Sequence, residues 1–442
     1  MIHHAHHHVT LPRMKKLSMR KSSTLCVLDV GASKVVCLIA RLIPAEPSDM
    51  LRGRTHKTKI LGIGHQRSRG IKGGVVIDMD ETEAAVRLAV DAAERMAGVQ
   101  VESVIVANVG GRLGSTYYHA TVPIVGAGVG DSDLHRVLEA TSLRTAQPGR
   151  AVLHSLPTGF ALDGAAGISD PKGMMGERLG ADLHVVSADV AALRNLLLAI
   201  ERCHLNVEAV VATPYASGLA VLVDDEAVLG ATVLDLGGGS VGMGVFRDGK
   251  LAHADAVAVG GKHITMDIAR GLNTRLSDAE RLKTLHGSAI SSPSDDRETL
   301  SVRPVGEDGE NPVQVTKAQL ARIIRPRVEE ILELARDRLK AAGFATSSGS
   351  RIVLSGGGSQ LTGLPEAARR ILGGQIRVGR PLGVQGMPES AKNPGFAASV
   401  GLLIYPQFSG VEHFEPGRAA GRASREPEGY FGRVGRWLKE SF

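Results

Sequence analysis

The sequence predicts an α/β protein made of two related halves, and three observations support this fold class. A chain of 442 residues is too long for one ordinary core, so two or more domains are expected. Apolar runs typical of strands alternate with stretches of helical periodicity. A unit of strand, aspartate, glycine turn and strand occurs twice, in VLDVGASKVVCLIA and in VLDLGGGSVGMGVF, which indicates an internal duplication.

Composition excludes several classes of protein. The 52 basic and 46 acidic residues are mixed along most of the chain and aromatic residues make up only 3%, so nucleic-acid binding is not expected. Cys26, Cys37 and Cys203 show no CxxC spacing, which disfavours a disulfide framework or a zinc site and favours a reducing, cytoplasmic setting. No apolar run reaches the roughly 18 residues that span a bilayer. The histidine-rich residues 1–23 lack a secretory apolar region and are expected to be a disordered leader.

The first elements are expected from the local pattern. Folding should begin at TLCVLDV with a hairpin around a Gly-Ala-Ser turn, followed by the strand TKILGIGHQ. An amphipathic helix closed by Gly98 opens residues 80–170, whose mixed helices and strands predict a compact α+β insertion. The strand ADLHVVSAD, a helix over Val190–Cys203 and the strand VEAVVAT then restore an α/β rhythm.

The second half repeats the hairpin and then becomes more helical. Residues 288–315 are polar and rich in Pro, Gly and Ser, which predicts loops with at most short strands. The capping box TKAQ opens a long helix to Gly343 that contains Pro326. The segment RIVLSGGGSQLTGL predicts a strand, a glycine turn and a helix. Residues 406–428 are expected to form a flexible linker.

Three glycine turns follow predicted strands, in LDVGASK, LDLGGGS and LSGGGSQ. Any one of these turns could exist only to form a hairpin bend. The three together predict phosphate binding, because glycine exposes backbone N–H groups that can bind phosphate oxygens. Asp29 and Asp235 precede the first two turns, where a hydrated Mg2+ would separate each carboxylate from phosphate. The third turn has no preceding carboxylate, which suits uncharged adenosine. The phosphate and Mg2+ candidates are Asp29, Gly31, Ser33, Lys34, Asp235, Gly237, Gly238, Gly239 and Ser240, and the adenosine candidates are Gly356, Gly357 and Gly358.

These motifs resemble the two phosphate motifs and the adenosine motif of the actin, Hsp70 and sugar-kinase superfamily. The insertion after RSRGIKGGVVIDMDE and the tail GRVGRWLKESF make residues from about 24 to 442 similar to the FtsA family of actin-like bacterial cell-division proteins. The resemblance implies an actin-like ATPase fold with ATP and Mg2+ in a cleft between the halves and an SHS2-type insertion. It nominates Glu280 and Lys283 at the adenosine, although an ordinary surface ion pair has the same spacing.

One position departs from the superfamily pattern. Hsp70-like relatives carry an acidic residue three positions after the last glycine of the second phosphate motif, where this chain has Gly242. Loss of that carboxylate weakens activation of the attacking water more than it weakens phosphate binding. The sequence therefore predicts ATP binding with slow or negligible hydrolysis, in a protein that is at most a weak ATPase and mainly an adaptor.

The C-terminal peptide GYFGRVGRWLKESF is amphipathic at helical spacing and holds the single tryptophan. Gly432 and Gly435 each cost about 1 kcal/mol against alanine in a helix, so a surface is needed to order it. It is too short to cross a bilayer and suits the interface of an anionic membrane. A single tail would bind the membrane weakly, whereas a polymer of the protein, which carries many tails, would bind it firmly. The alternative is that this helix packs on the protein's own domain. The predicted membrane residues are Phe431, Arg433, Val434, Arg436, Trp437, Leu438, Lys439 and Phe442.

The resemblance also implies partners and a location. It implies an adaptor that polymerises on the cytoplasmic face of the inner membrane at the division site and anchors FtsZ filaments there. The FtsZ C-terminal tail is expected near IIRPRVEEILELA, at Arg327 and Glu330. The insertion is expected to contact the next protomer and other division proteins.

Two other readings use the same motifs. A PilM-like pilus-assembly scaffold shares the insertion but lacks the amphipathic tail. A phosphotransferase or exopolyphosphatase should carry a catalytic carboxylate in VVATPYASGLAVLV, where no acidic residue precedes Asp224. The predicted division of the chain is a leader, 1–23; a first half, 24–79, 171–212 and 383–405; an insertion, 80–170; a second half, 213–382, with a subdomain at about 245–325; a linker, 406–428; and an amphipathic helix, 429–442.

Overall fold

The computed structural model describes residues 11–15, 17–18, 20–46, 54–108, 112–143, 145, 147–306 and 312–413. The predicted amphipathic helix at 429–442, with all eight membrane residues between Phe431 and Phe442, lies outside the described residues, as does most of the predicted linker. None of the helices within the described ranges combines the length and the apolar character that a membrane crossing requires.

Strands and helices alternate along the described chain. The strands are β1 Ser23–Val30, β2 Lys34–Pro44, β3 His56–Arg67, β4 Ile71–Lys72, β5 Val75–Val76, β6 Ser103–Asn108, β7 Gly114–Pro123, β8 Arg150–Leu162, β9 Ala165–Ile168, β10 Arg178–Asp189, β11 Asn206–Ala212, β12 Ala231–Leu236, β13 Val241–Arg247, β14 Lys250–Val257, β15 Thr299–Val302, β16 Val313–Thr316, β17 Arg351–Ser355, β18 Gln375–Val378 and β19 Val384–Gln385. The helices are α1 Met79–Ala97, α2 Asp131–Ser142, α3 Val190–Glu201, α4 Thr213–Val221, α5 Asp224–Leu229, α6 Gly261–Gly271, α7 Leu276–His286, α8 Lys317–Ala341, α9 Leu364–Leu372 and α10 Ala397–Ile404.

Two large sheets form the two halves, and each contains one of the predicted hairpins. The first sheet has the order β11-β6-β1-β2-β3-β19, and the second has the order β14-β13-β12-β17-β18. In each half the hairpin is antiparallel, β1 with β2 and β12 with β13. Its first strand also pairs in parallel with a neighbour, β1 with β6 and β12 with β17. The predicted α/β fold of two related halves is confirmed.

Two buried helices join the halves. Helix α4 packs on the second sheet and α10 on the first, and the two helices cross in close contact. A Cβ at Gly401 would lie 1.7 Å from the carbonyl oxygen of Ala216, so only glycine allows this approach. The crossing therefore fixes how the two hairpins face each other.

The insertion begins and ends later than the sequence predicted. Helix α1 packs on β3 and β2, and β6 pairs with β1 and β11, so residues 79–108 belong to the first half. Strand β10 pairs with β7 and β8 in a separate sheet of order β7-β10-β8-β9. The prediction of 80–170 is wrong at both ends because strand pairing is set by distant residues. We propose that the insertion spans about 112–189.

The second half differs from the prediction in one boundary and agrees in its long helix. Strands β13 and β14 both belong to the second sheet, so a separate subdomain cannot begin near residue 245. The capping box that opens α8 is confirmed: the Thr316 hydroxyl accepts the Gln319 N–H at 3.2 Å, and the Gln319 side chain accepts the Thr316 N–H at 2.9 Å.

The leader is not wholly free of the body, contrary to the prediction for residues 1–23. Leu11 is only 2% exposed, and Met14 and Leu17 pack against the first core. The Arg13 guanidinium donates to the carbonyl oxygens of Leu153 at 3.0 Å and Val152 at 2.9 Å, on β8. Burial lowers the pKa of Arg13 to about 10, which leaves it charged at neutral pH. Three apolar side chains and one buried cation thus tie the leader to the insertion.

The predicted linker also starts in packed structure. Gln407 accepts the backbone N–H groups of Thr55 at 2.7 Å and His56 at 3.0 Å, at the start of β3. The buried Glu412 carboxylate lies 2.9 Å from the His154 ring on β8. The chain therefore stays on the body as far as His413, and residues 406–413 do not belong to a flexible linker.

Replacing Arg13 with alanine is expected to lower the free energy of unfolding by about 2 kcal/mol, because two partly buried carbonyls lose a charged donor. Thermal unfolding of the full chain measures this. Lys15→Ala is the matched control, since Lys15 is exposed two residues away and should change stability by less than about 0.5 kcal/mol. Equal melting temperatures for Arg13→Ala and the parent chain would contradict the packing of the leader.

Candidate functional site

The first glycine turn, residues 31–33, connects β1 to β2. The Gly31 N–H donates to the Lys34 carbonyl at 3.0 Å, which closes the turn and leaves Ser33 at its tip. Asp29 sits one residue before the end of β1 and is half-buried. The turn thus carries a carboxylate, a hydroxyl and the Lys34 ammonium within six residues.

The second glycine turn, residues 237–240, is held by the start of α6. The carbonyls of Gly237 and Gly238 accept the N–H groups of Gly261 at 3.0 Å and Lys262 at 2.7 Å. In a trans peptide the N–H points opposite to the C=O, so the N–H groups of Gly238 and Gly239 point away from α6. These donors are free to face a ligand, as expected of a phosphate-binding turn.

The fold brings the two turns face to face. A Cβ at Gly238 would lie 2.8 Å from the Ser33 hydroxyl oxygen, and a Cβ at Gly239 would lie 2.6 Å from the Ala32 Cβ. The predicted phosphate residues Ser33 and Gly238, 205 positions apart in sequence, therefore lie together at the junction of the halves. Glycine is required here because any side chain would occupy the space between the turns.

Each of the two carboxylates is paired with a serine from one of the crossing helices. The Ser217 hydroxyl on α4 donates to Asp235, and the Ser399 hydroxyl on α10 lies 3.4 Å from an Asp29 oxygen. The sequence analysis missed both serines, although each follows an alanine in a buried helix, in YASG and AASV. They extend the duplication from the hairpins to the joining helices.

Burial makes the two carboxylates harder to ionise. It raises the pKa of Asp235 to about 6, against the opposing effects of Ser217 and Lys34, and the Asp29 charge raises it further. Burial likewise raises the pKa of Asp29, with Lys34 and Ser399 acting in the opposite direction. The effect of the Asp29 charge on the pKa of Asp235 requires the two carboxylates to be near neighbours.

Lys34 is a cation whose charge acts on both aspartates. Burial lowers its pKa, and Asp29 and Asp235 raise it. Its ammonium lies 3.7 Å from the centre of the Phe396 ring, a cation–π contact. A buried cation between two carboxylates and two glycine turns is placed to meet phosphate oxygens.

The donor set also fits a hydrated divalent cation. Burial makes the ionised form of both carboxylates unfavourable, and a nearby dication would stabilise that form. Carboxylate and water oxygens are also the ligands that Mg2+ prefers. Asp29 and Asp235 would hold it through water and counter the charge of a triphosphate. Within the described residues no three or more His, Cys, Asp or Glu side chains form a metal cluster.

The third glycine turn lies beside the second. Strands β12 and β17 are parallel neighbours with Asp235 opposite Ser355, so their carboxyl ends meet at one edge. Gly356 has φ 76° and ψ 167°, and a Cβ there would lie 2.3 Å from an Asp235 oxygen. A Cβ at Gly357 would meet no atom within 4 Å, so this residue faces open space. Gly358 contacts Leu236 from the other side.

Glu280 and Lys283 form the expected ion pair on α7, at 2.8 Å. The Lys283 ammonium also donates to the Gly261 carbonyl at 3.0 Å and to the Thr265 hydroxyl at 2.8 Å, both on α6. Burial alone would raise the pKa of Glu280, but Lys283 and Thr265 hold it below its usual value. The pair is therefore not an isolated surface bridge, since it supports the helix start that holds the second turn.

Two further cations near the turns were missed in the sequence. Burial and the charge of Arg67 both lower the pKa of Lys262, at the start of α6. Arg67 ends β3 in the first half and also acts on Glu280 in the second. Cations from both halves therefore meet beside the glycine turns, where a triphosphate would be attracted. Arg67 and Lys262 are far apart in the sequence and belong to no motif, so no signal in the sequence indicated them.

Gly242 lies directly opposite Asp235 in the β12–β13 ladder. A Cβ at Gly242 would lie 3.2 Å from the Pro214 ring, at the start of α4. Pro214 therefore packs where an acidic side chain would stand. The close packing of this proline gives the missing carboxylate a structural reason.

Arg327 and Glu330 lie on α8 and bind each other. Arg327 also donates to Asp267 on α6, at 2.6 Å through Nε and 3.2 Å through Nη2. These charges raise the pKa of Arg327 further. The pair belongs to a bridge between α6 and α8.

Comparison with known families agrees with this architecture. The family model described as "Cell division protein FtsA" matches residues 232–401, and the model described as "SHS2 domain inserted in FTSA" matches residues 110–187. The second match agrees with the sheet formed by β7 to β10. A PilM–PilN type IV pilus biogenesis complex shares the fold, with a TM-score of 0.58 over 87% of this chain and 98% of that chain, at 17% identity.

Curated relatives share most of the sequence. The cell division protein FtsA of Rhizobium meliloti is 54% identical over 437 residues, covering 98% of both chains. The cell division protein FtsA of Escherichia coli is 32% identical over 424 residues, covering 94% of this chain and 97% of that protein. The likeness to the pilus complex extends to the fold alone. This chain belongs to the FtsA family of cell-division proteins.

Proposed function

We propose that this cell-division protein binds ATP with Mg2+ between the two phosphate turns. The observation that carries the proposal is the approach of Gly238 to Ser33, with two carboxylates and Lys34 beside them. The phosphates would lie against the N–H groups of Gly238 and Gly239, Mg2+ would be held through water by Asp29 and Asp235, and adenosine would lie on Gly356–Gly358. Mg2+ would supply charge neutralisation of the phosphates.

In this proposal the main role of ATP is to link the two halves, and its hydrolysis is less important. A ligand that contacts both turns binds the closed arrangement of the halves better than any open one, so it shifts the population toward the closed state. Hydrolysis is expected to be slow, because Gly242 supplies no carboxylate beside Asp235. The closed state is the one that we expect to polymerise, with the insertion contacting the next protomer.

The adaptor part of the proposal rests on the amphipathic C-terminal peptide and on family membership. Residues 430–442 would insert into the interface of the inner membrane on its cytoplasmic side, and the polymer would supply many tails at once. FtsZ filaments would attach through their C-terminal tail near α8. An acidic peptide there would compete with Glu330 for Arg327, since Glu330 is the more exposed of its two carboxylate partners.

Deleting residues 430–442 is expected to abolish recruitment of FtsZ to lipid vesicles without changing ATP binding. Co-sedimentation of the full chain, FtsZ filaments and phosphatidylglycerol-containing vesicles, with and without ATP, measures this. FtsZ should sediment with vesicles only when the full chain and ATP are both present. A truncated chain that still carries FtsZ to vesicles would overturn the proposal. Arg327→Ala separates the two contacts, since it should weaken FtsZ recruitment and leave vesicle binding unchanged.

A further inference from the structure

The positive charge of this chain is concentrated at its start. Residues 1–67 contain 12 of the 52 Lys and Arg residues but only 3 of the 46 Asp and Glu residues. The remaining 375 residues contain 40 basic and 43 acidic residues, so they are close to neutral. An asymmetry of this size indicates a surface that meets an anionic partner.

The fold places exposed cations from this segment on the leader and on the neighbouring strands β2 and β3 of the first sheet. The Lys21 N–H donates to the Ser18 carbonyl at 3.3 Å, and that carbonyl lies 3.2 Å from the His56 ring at the start of β3. Arg41 on β2 is directly opposite Lys59 on β3. We name as the basic edge the exposed residues Lys15, Arg20, Lys21, Arg41 and Lys59.

No ion pair between described residues neutralises these cations. Within the described ranges, none of the five forms an ion pair, and Glu46 is the exposed carboxylate nearest to them in sequence. Arg41 and Lys59 face each other across a ladder, an arrangement in which like charges destabilise the sheet. An external anion that lies over both would relieve that repulsion.

The last described residues lie beside the leader: the His413 N–H donates to the Ser155 carbonyl at 2.8 Å on β8, the strand whose Val152 and Leu153 carbonyls bind Arg13. Gln407 binds the backbone of Thr55 and His56, three to four residues before Lys59 on β3. The next described residues end at His413, and sixteen residues then separate it from residue 430. A segment of that length reaches at most roughly 55 Å, so a tail in the membrane leaves the basic edge within reach of the lipid surface.

We propose that the basic edge is a second lipid contact, which binds anionic headgroups independently of the C-terminal peptide. This inference rests on the proposed membrane role of residues 430–442. The edge is a set of exposed charges spread over a leader and two strands without a groove, which suits a layer of headgroups better than a single peptide. Electrostatic attraction of this kind acts within a Debye length of about 8 Å at physiological salt, and so it would hold the body against the surface.

The test uses the full chain with Lys15→Glu, Lys21→Glu, Arg41→Glu and Lys59→Glu combined, and leaves the tail intact. Binding to phosphatidylcholine vesicles with and without phosphatidylglycerol is measured by flotation at several salt concentrations. We expect at least tenfold weaker binding to the anionic vesicles, a smaller dependence on salt, and unchanged binding to neutral vesicles. The matched control reverses four exposed cations of the second half, Arg275, Arg281, Lys340 and Arg369, and should bind as the parent does.

The outcomes distinguish this inference from the proposal on which it rests. If the basic-edge variant binds anionic vesicles as tightly as the parent, the inference is overturned while the tail hypothesis survives. If deletion of residues 430–442 leaves vesicle binding unchanged, the tail hypothesis fails instead. Binding of a polyglutamate peptide to the same variant is also measured. If the variant loses this peptide and still binds anionic vesicles, the basic edge is a site for an acidic protein partner, and the inference of a lipid contact is overturned. Glutamine at the same four positions should give an intermediate loss, and thermal unfolding confirms that each variant is folded.

Discussion

Replacing Gly357 with leucine is expected to weaken ATP binding roughly a hundredfold, which corresponds to about 2.8 kcal/mol. A Cβ at this position meets no protein atom within 4 Å, so the new side chain can be accommodated without disturbing the fold. It would occupy the open space next to Gly395, which lies close to both Gly357 and the Lys34 ammonium and where the nucleotide is proposed to lie. Titration with a fluorescent ATP analogue in the presence of Mg2+ measures the affinity.

The neighbouring substitution is the matched control. Gly356→Ala adds only a methyl group, but Gly356 has φ 76° and ψ 167°, a region that is essentially restricted to glycine. The added Cβ would also lie 2.3 Å from an Asp235 oxygen and 2.6 Å from the Leu236 carbonyl oxygen. We expect a loss of more than about 2 kcal/mol in the free energy of unfolding.

The two variants thus separate occupancy from stability. Gly357→Leu should melt at the temperature of the parent protein in the absence of nucleotide and should lose the rise in melting temperature that ATP produces. Gly356→Ala should melt lower under both conditions. If Gly357→Leu binds ATP normally, the nucleotide does not lie on the third turn and the site proposed here is misplaced.

Local patterns in the sequence predicted the parts of the site that depend on local geometry. The three glycine turns, the aspartates before two of them and the capping box of α8 all occur where they were expected, because each is determined by a few consecutive residues. The ion pair between Glu280 and Lys283 also formed, since residues three apart on a helix are neighbours, while its place at the adenosine stays a prediction.

The parts that sequence reasoning missed depend on contacts between distant residues. Strand β10 pairs with β7 between residues that lie 55 to 73 positions apart in sequence, so the insertion could not be bounded from composition. Ser217 and Ser399 look like ordinary small residues in buried helices until the crossing of α4 and α10 brings them to the aspartates. The leader was misjudged because three apolar residues beside a histidine tract give a weak signal, although Leu11 is almost fully buried.

The duplicated elements of the two halves are connected through the crossing of α4 and α10. Each half supplies a hairpin turn, an aspartate and a serine from a joining helix, and Gly401 lets those helices touch at Ala216. A change in the angle between the halves must therefore pass through the crossing and move both aspartates relative to each other. Nucleotide bound between them would resist such a change, which explains how occupancy of the site can control the shape presented for assembly.

The nucleotide-free protein is expected to lose stability as the pH rises from about 4 to 6, through Asp235. Its pKa is 3.8 in the unfolded chain and about 6 in the folded protein, because burial opposes ionisation. In this window the unfolded state releases the proton while the folded state keeps it, so the contribution is complete below about pH 4 and lost above about pH 6. Asp235→Asn removes the buried charge and should raise the free energy of unfolding by about 2 kcal/mol at pH 7.5 and by almost nothing at pH 4.

The same substitution should act in the opposite direction on ligand binding, because an amide cannot neutralise Mg2+ as a carboxylate does. Asp235→Asn is therefore expected to be more stable than the parent without nucleotide and to gain less from ATP and Mg2+. Thermal unfolding at pH 4 and at pH 7.5, with and without the ligand, measures both effects. Asp225→Asn, at an exposed carboxylate, controls for the loss of one charge and should change stability by less than about 0.5 kcal/mol. A destabilised Asp235→Asn at pH 7.5 would mean that this carboxylate supports the fold and is not held in a strained state for a cation.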